Sequence, residues 1–103
     1  MIDPGMIRKL QKDLHDRIDR MKVTLKDKKV EGTAGGGAVT VVSNGNSEIV
    51  EVRIKAEAID PNDAEMLQDL VLAATNQALD KARQLNEDSV AEITGGLRLP
   101  GFF

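Results

Sequence analysis

The apolar residues at the start of the chain recur with the period of an α-helix. Six of them are spaced by three or four positions: Ile7, Leu10, Leu14, Ile18, Met21 and Leu25. This spacing places them on one stripe, and nearly every other position is charged. We predict a basic helix over residues 6–29. A helix of about 35 Å with one narrow stripe needs a partner helix or a partner subunit along most of its length.

The pattern then changes to that of β-strands, over residues 30–56. Three short stretches are rich in β-branched residues: Val30–Ala34, Ala38–Ser43 and Glu48–Lys55. Between the last two, Asn44-Gly45 favours a tight hairpin, because both residues tolerate positive φ. The third stretch alternates apolar with charged positions, which predicts a dry face formed by Val50, Val52 and Ile54. We therefore predict a three-stranded antiparallel meander.

Helical periodicity returns over residues 61–91. Asp60 is a candidate N-cap, and Pro61 suits the first helical position. One apolar face contains seven residues: Leu67, Leu70, Val71, Ala74, Ala78, Ala82 and Leu85. Residues 92–103 are interrupted by Gly and Pro, which predicts a flexible tail. The whole chain, residues 1–103, is thus one α+β domain of order α-β-β-β-α, a meander flanked by two long helices.

The composition limits how this domain can be stabilised. The 103 residues include no Trp, Tyr or Cys, and the only two Phe are Phe102 and Phe103 at the end of the chain. Aromatic side chains usually supply much of the buried area of a small core. We therefore expect a second copy of the chain to supply the missing apolar surface. Six residues are predicted to lie in the core or at this interface: Val41, Val50, Val52, Leu67, Leu70 and Val71.

Side chains for catalysis are scarce. The single His, His15, lies in the charged helix between Asp13 and Asp16, where a surface position is typical. The run Gly35–Gly37 lacks the Gly-Lys-Ser/Thr of a phosphate loop and leads into a strand. We expect no enzymatic activity, no metal site, no cofactor and no small-molecule substrate. No apolar run has the roughly 20 residues that cross a bilayer, and no signal peptide is visible, so we expect a cytoplasmic protein without membrane contact.

The charge is distributed unevenly along the chain. Residues 1–29 hold nine Lys or Arg against five Asp or Glu, a balance of +4, and the remaining residues hold five against twelve, a balance of −7. Such asymmetry indicates a polyanion partner for the first helix, although a solvated helix face also fits. Without interleaved aromatic residues, backbone contacts to duplex DNA are favoured over stacking on single strands. The candidate DNA contacts are Arg8, Lys9, Lys12, Arg17, Arg20 and Lys22.

Three segments resemble the YbaB/EbfC family of nucleoid-associated proteins. Asp63–Ala78 is similar to the family's acidic helix start, its Glu-Met-Leu-Glu-Asp-Leu-Val stretch and its Ala-Ala-x-Asn-x-Ala run, with Gln68 in place of the usual Glu. The segment Gly95–Phe102 resembles its closing Pro-Gly-Phe motif. Val41–Gly45 matches its strand before an Asn-Gly pair. The resemblance covers nearly the whole chain from Met6.

The resemblance implies a tweezer-shaped homodimer whose protruding helices bind double-stranded DNA. It also implies a cytoplasmic protein of the nucleoid, in some cases regulatory and without catalysis. The family offers no catalytic or base-reading residue to carry over, so the candidate DNA contacts depend on the charge pattern alone. An alternative is a non-enzymatic protein-interaction or chaperone-like scaffold dimer, which the net charge of −3 favours.

Overall fold

The structure, a computed structural model, describes residues 3–95. Its elements follow the predicted order: helix α1 (Pro4–Asp27), strands β1 (Lys29–Ala34), β2 (Val39–Asn44) and β3 (Ile49–Ile54), a 3-10 helix (Ala56–Ala58) and helix α2 (Ala64–Thr94). The strands form one antiparallel sheet in the order β1-β2-β3. The predicted α-β-β-β-α fold is therefore confirmed; the 3-10 helix was not predicted.

The core lies between α2 and the first two strands. Val39 and Val41 of β2 are fully buried against Ala74 and Ala78 of α2. The close approach depends on Gly32 of β1, because a Cβ there would lie 2.5 Å from the backbone nitrogen of Ala78. A stripe of small side chains on α2 thus faces a glycine on β1, and the helix backbone packs directly on the sheet.

Strand β3 is the edge that α2 leaves uncovered. Val52 pairs with Val41 and Ile54 with Val39, so these side chains share the face of the sheet on which α2 packs. Val50, Val52 and Ile54 are nevertheless 49%, 48% and 38% exposed. Val50 and Val52 were predicted to lie in the core or at an interface. They lie outside the core of the single chain because α2 lies over β1 and β2, and their place at an interface stays a prediction. Leu67, Leu70 and Val71 are half-buried against the core.

The start of α2 also differs from the prediction. Asp60 and Pro61 precede the helix, and Asp60 instead accepts a hydrogen bond from the amide of Asn62 at 2.9 Å. The N-cap is Asp63, whose carboxylate accepts from the amide of Met66 at 3.2 Å. The prediction of Asp60 was wrong because it was based on Pro61 at the first helical position, and the helix begins three residues later, at Ala64.

At its other end, α2 extends past the predicted boundary. The helix ends at Thr94, with Gly95 as a left-handed C-cap, so residues 92–94 of the predicted tail are helical. The rest of that tail, residues 96–103, lies outside the described residues.

The turn after β2 contains Asn44 and Gly45, but the predicted reason for the glycine was wrong. Gly45 does not have positive φ; in this turn Ser47 does, at 62°. Gly45 is buried against helix α1, and a Cβ there would lie 2.8 Å from Cδ2 of Leu25. The Asn44 side chain closes the turn, accepting from the amides of Asn46 and Glu48 at 2.9 and 3.1 Å.

Candidate nucleic-acid interface

The C-terminal half of α1 is fixed to the body of the protein. Ile18 and Leu25 are buried, with 6% and 1% of their surfaces exposed. The amide of Gly45 donates to the carbonyl oxygens of Leu25 and Lys28 at 2.9 and 3.0 Å. The amide of the Asn46 side chain donates to the carbonyl of Lys22 at 2.9 Å. The turn between β2 and β3 therefore holds the end of α1 and sets its direction.

The N-terminal half of α1 extends away from this attachment. The helix begins after Asp3, whose side chain accepts from the amide of Gly5 at 3.2 Å. Every residue from 4 to 13 is exposed, and Ile7 and Leu10 of the predicted stripe are 44% and 63% exposed. The molecule measures 70 × 20 × 16 Å. The first two of the six stripe residues are thus uncovered within one chain, and residues 4–13 form an arm.

The structure divides the six candidate DNA contacts into groups. All six are exposed. Arg8, Lys9 and Lys12 lie together on the arm, on the side of the helix away from the apolar stripe. Arg17 and Arg20 lie about 14–18 Å further along the helix from Arg8, and they line a cleft between α1 and α2. Lys22 lies on the other flank of the stripe.

Lys28 lines the same cleft as Arg17 and Arg20, although it is not among the six predicted contacts. Lys28 follows Arg17 by eleven positions and Arg20 by eight, so the helical repeat places all three in one row. The spacing alone could have identified it.

The Lys and Arg side chains of α1 form no ion pair with a carboxylate among residues 3–95. In that range the Lys and Arg side chains that do form ion pairs are Arg53, with Glu31 and Glu51, and Arg83, with Asp80. The acidic residues of α1 therefore do not pair with its Lys and Arg side chains. An exposed cation without a partner keeps its charge available for an anion.

The outer face of the sheet provides a contrast. Arg53 of β3 contacts Glu31 of β1 at 2.7 Å and Glu51 at 2.8 Å. On α2, Arg83 contacts Asp80 at 2.9 Å, and Lys81 donates to the carbonyl of Glu31 at 2.8 Å. Outside α1, Arg53, Lys81 and Arg83 are engaged with groups of the protein itself, whereas the Lys and Arg side chains of α1 form no ion pair among residues 3–95.

The described residues contain neither a candidate metal site nor a helix suited to span a membrane. His15 is exposed on α1. Among residues 3–95, no cluster of three His, Cys, Asp or Glu side chains is arranged to hold a metal ion. No helix in the same range has the length and apolar character that a membrane span requires.

A small α+β body with Lys and Arg side chains exposed along one helix has the charge and shape of a binding protein rather than of an enzyme with an enclosed site. The chain belongs to the YbaB/EbfC DNA-binding family, whose model matches residues 3–97. This is a family of DNA-binding proteins and not of enzymes. The resemblance seen in the sequence is therefore confirmed.

Individual proteins agree with this assignment. The chain is 60% identical over 79 residues to a nucleoid-associated protein of Geobacillus kaustophilus, covering 77% of this chain and 73% of that one. It is 49% identical over 98 residues to a nucleoid-associated protein of Pelotomaculum thermopropionicum, covering 95% and 92%. The fold is similar to that of an uncharacterized protein from Helicobacter pylori, with a TM-score of 0.84 at 21% identity over 92% of this chain and 100% of that one.

Proposed function

We propose that this protein is a nucleoid-associated protein that binds duplex DNA as a homodimer. Helix α1 makes the contacts through Arg8, Lys9, Lys12, Arg17, Arg20 and Lys22. Binding goes mainly to the phosphate backbone and depends little on sequence, because no side chain on α1 is placed as a dedicated base reader. The names of the relatives in Geobacillus and Pelotomaculum support the assignment to the nucleoid.

The observation that carries this proposal is the set of unpaired cations on α1. Their charges are exposed and lack ion-pair partners among residues 3–95, whereas Arg53 and Arg83 are paired within the protein. Phosphate neutralisation requires long cationic side chains on an accessible element, and the arm of α1 is such an element.

The homodimer is supported by the uncovered side of the sheet. Ile54 of β3 and Leu67, Val71 and Leu72 of α2 line a groove of about 470 Å³. Leu72 is 60% exposed, and β3 is an edge strand with its neighbouring valines half-exposed. An apolar groove beside an open strand edge would make a single chain prone to association. A second copy of the chain, packed through the same surface, would cover both the apolar groove and the open edge of β3.

The test is a gel-shift titration of duplex DNA across salt concentration. For the parent protein, log K should fall linearly with log salt, by about 0.9 per phosphate neutralised. The double variant Lys9→Glu and Lys12→Glu should bind more weakly, with a flatter slope. Its control is Lys55→Glu with Lys81→Glu, which changes the net charge equally at exposed positions outside α1. Equal losses in both double variants would place the contacts away from the arm.

The alternative is a scaffold dimer in which α1 meets another protein. The exposed apolar residues of the arm favour it, since Met6 and Leu10 are 58% and 63% exposed. If the parent protein has no salt-sensitive affinity for duplex DNA, the scaffold dimer becomes the better interpretation. The Lys and Arg side chains of α1 would then only contact solvent.

A further inference from the structure

An open cleft of about 320 Å³ lies between α1 and the C-terminal part of α2. Helix α1 supplies one row of its lining and α2 the other. The residues that line the cleft are Arg17, Arg20, Met21, Thr24, Leu25, Lys28, Ser89, Glu92 and Ile93. Three of these side chains are cationic and one is acidic, which gives the cleft a local excess of positive charge in a protein whose net charge is −3.

The two hydroxyl groups of the cleft are already hydrogen-bonded to carbonyls of their own helices, so the cations supply its available hydrogen-bond donors. The Thr24 hydroxyl donates to the carbonyl of Arg20 at 3.1 Å, and the Ser89 hydroxyl donates to the carbonyl of Leu85 at 2.9 Å. Arg17, Arg20 and Lys28 form no ion pair with any residue from 3 to 95, Glu92 included. Three like charges are therefore held around one space, with their hydrogen-bond donors unused.

The floor of the cleft is fixed. Leu25 is 1% exposed and packs under Gly45, whose amide bonds hold the end of α1. The cations of this cleft therefore stand on an anchored part of the helix, unlike those of the arm. A group that binds here is placed at a defined position relative to the sheet.

We propose that this cleft is a phosphate-binding subsite that receives a backbone phosphate of the bound DNA. Arg17, Arg20 and Lys28 neutralise the phosphate through charge-assisted hydrogen bonds, and Glu92 opposes it and limits the affinity. The proposal rests on the proposed function, because it assigns one DNA contact to a fixed cleft. It adds Lys28 as a DNA contact, and it predicts that Glu92 weakens DNA binding whereas the three cations strengthen it.

The first test compares Lys28→Gln with Lys29→Gln by gel shift across salt concentration. The two variants remove the same charge from adjacent exposed residues, but only Lys28 lines the cleft. Lys28→Gln should weaken DNA binding and flatten the salt slope by at most about 0.9, the value for one complete phosphate contact, because Arg17 and Arg20 still face the same phosphate. Lys29→Gln should leave the slope unchanged. Equal thermal unfolding midpoints would establish that both variants are folded.

The second test uses the acidic side of the cleft. Glu92→Gln should tighten DNA binding about twofold, as removal of one exposed like charge would predict. Glu87→Gln removes the same charge from α2 outside the cleft and should have a smaller effect. A gain in affinity cannot arise from damage to the fold, so this pair separates a phosphate contact from a structural role of the cleft.

A third arm distinguishes DNA from a free phosphate. Inorganic phosphate is titrated while the backbone amide resonances of residues 24–28 and 89–93 are followed by NMR, for the parent and for Lys28→Gln. Millimolar binding that Lys28→Gln abolishes, together with the DNA results above, supports the subsite. Phosphate binding that depends on Lys28 while DNA affinity does not would overturn the proposal in favour of a small anion.

Failure of the subsite and failure of the proposed function give different results. If the parent binds DNA with a steep salt dependence, but Lys28→Gln behaves like Lys29→Gln and Glu92→Gln like Glu87→Gln, no phosphate binds between Lys28 and Glu92. The subsite is then overturned, while DNA binding through α1 stands. If the parent does not bind DNA, both proposals are overturned together.

Discussion

The amide of Gly45 donates a hydrogen bond to the carbonyl oxygen of Leu25 at 2.9 Å, which ties the turn between β2 and β3 to the end of α1. This single contact joins the most buried residue of α1 to a turn that would otherwise be a simple hairpin connection. The direction of the basic helix therefore depends on a glycine that the charge pattern does not reveal.

Gly45→Ala should lower the free energy of unfolding by about 1–3 kcal/mol, as expected for overpacking. A Cβ at this position would lie 2.9 Å from Cβ and 3.0 Å from the carbonyl oxygen of Leu25, and the backbone cannot yield easily. Gly5→Ala is the control, because its Cβ would contact only the Asp3 side chain, at 3.5 Å or more. Urea unfolding should show no loss for the control; an equally stable Gly45→Ala would contradict the close packing.

Asp63→Ala should lower the free energy of unfolding by about 1 kcal/mol, the usual contribution of an N-cap. The carboxylate of Asp63 accepts from the amide of Met66, one of the first amides of α2. Asp60→Ala removes a turn contact outside the helix and should cost less. Thermal unfolding of both variants measures the difference, and a larger loss for Asp60→Ala would return the cap to the residue predicted from the sequence.

Leu25→Ala should destabilise the protein by about 2–5 kcal/mol, because the side chain is 1% exposed. Leu70 is only half-buried, so Leu70→Ala should lower the free energy of unfolding by less than Leu25→Ala does. Chemical denaturation of the two variants tests this order. A greater loss at Leu70 would indicate that a partner subunit covers it.

Leu72→Glu should convert the proposed homodimer into monomers, because it places a charge in the apolar groove beside β3. Val23→Glu is the matched control, since Val23 is 70% exposed on α1 and lies outside the groove. Sedimentation at micromolar concentration reports the mass of each variant. A parent protein that is already monomeric at that concentration would refute the homodimer.

The spacing of apolar residues was sufficient to predict the order of the elements. It changes clearly from a helical period to the alternation of strands, and back to a helical period, along this chain. The ends of the elements were harder to predict. Asp60 and Asp63 carry the same capping group, and only the path of the chain through the 3-10 helix decides between them. The role of Gly45 depends on a helix some twenty residues earlier in the sequence, which no local pattern can indicate.

The candidate site was predictable in its charge and less so in its geometry. The excess of Lys and Arg on α1 identified the basic surface, but the carboxylates of Asp13, Asp16 and Asp19 could equally have neutralised it. Their lack of ion pairs with the cations of α1 is a property of side-chain conformation. The cleft between Arg17 and Glu92 depends on how α1 and α2 cross, and residues 75 positions apart give no such signal in the sequence.

The uneven support of α1 has a consequence for its local unfolding. Its last turns share the stability of the folded body through Leu25, whereas residues 4–13 depend on helix propensity and one cap, which are weak in isolation. Amide hydrogen exchange should therefore be slow near Leu25 and become steadily faster toward Met6. A ligand that binds the arm then contributes part of its binding free energy to suppressing this fraying, and the exchange rates near Met6 would fall in its presence.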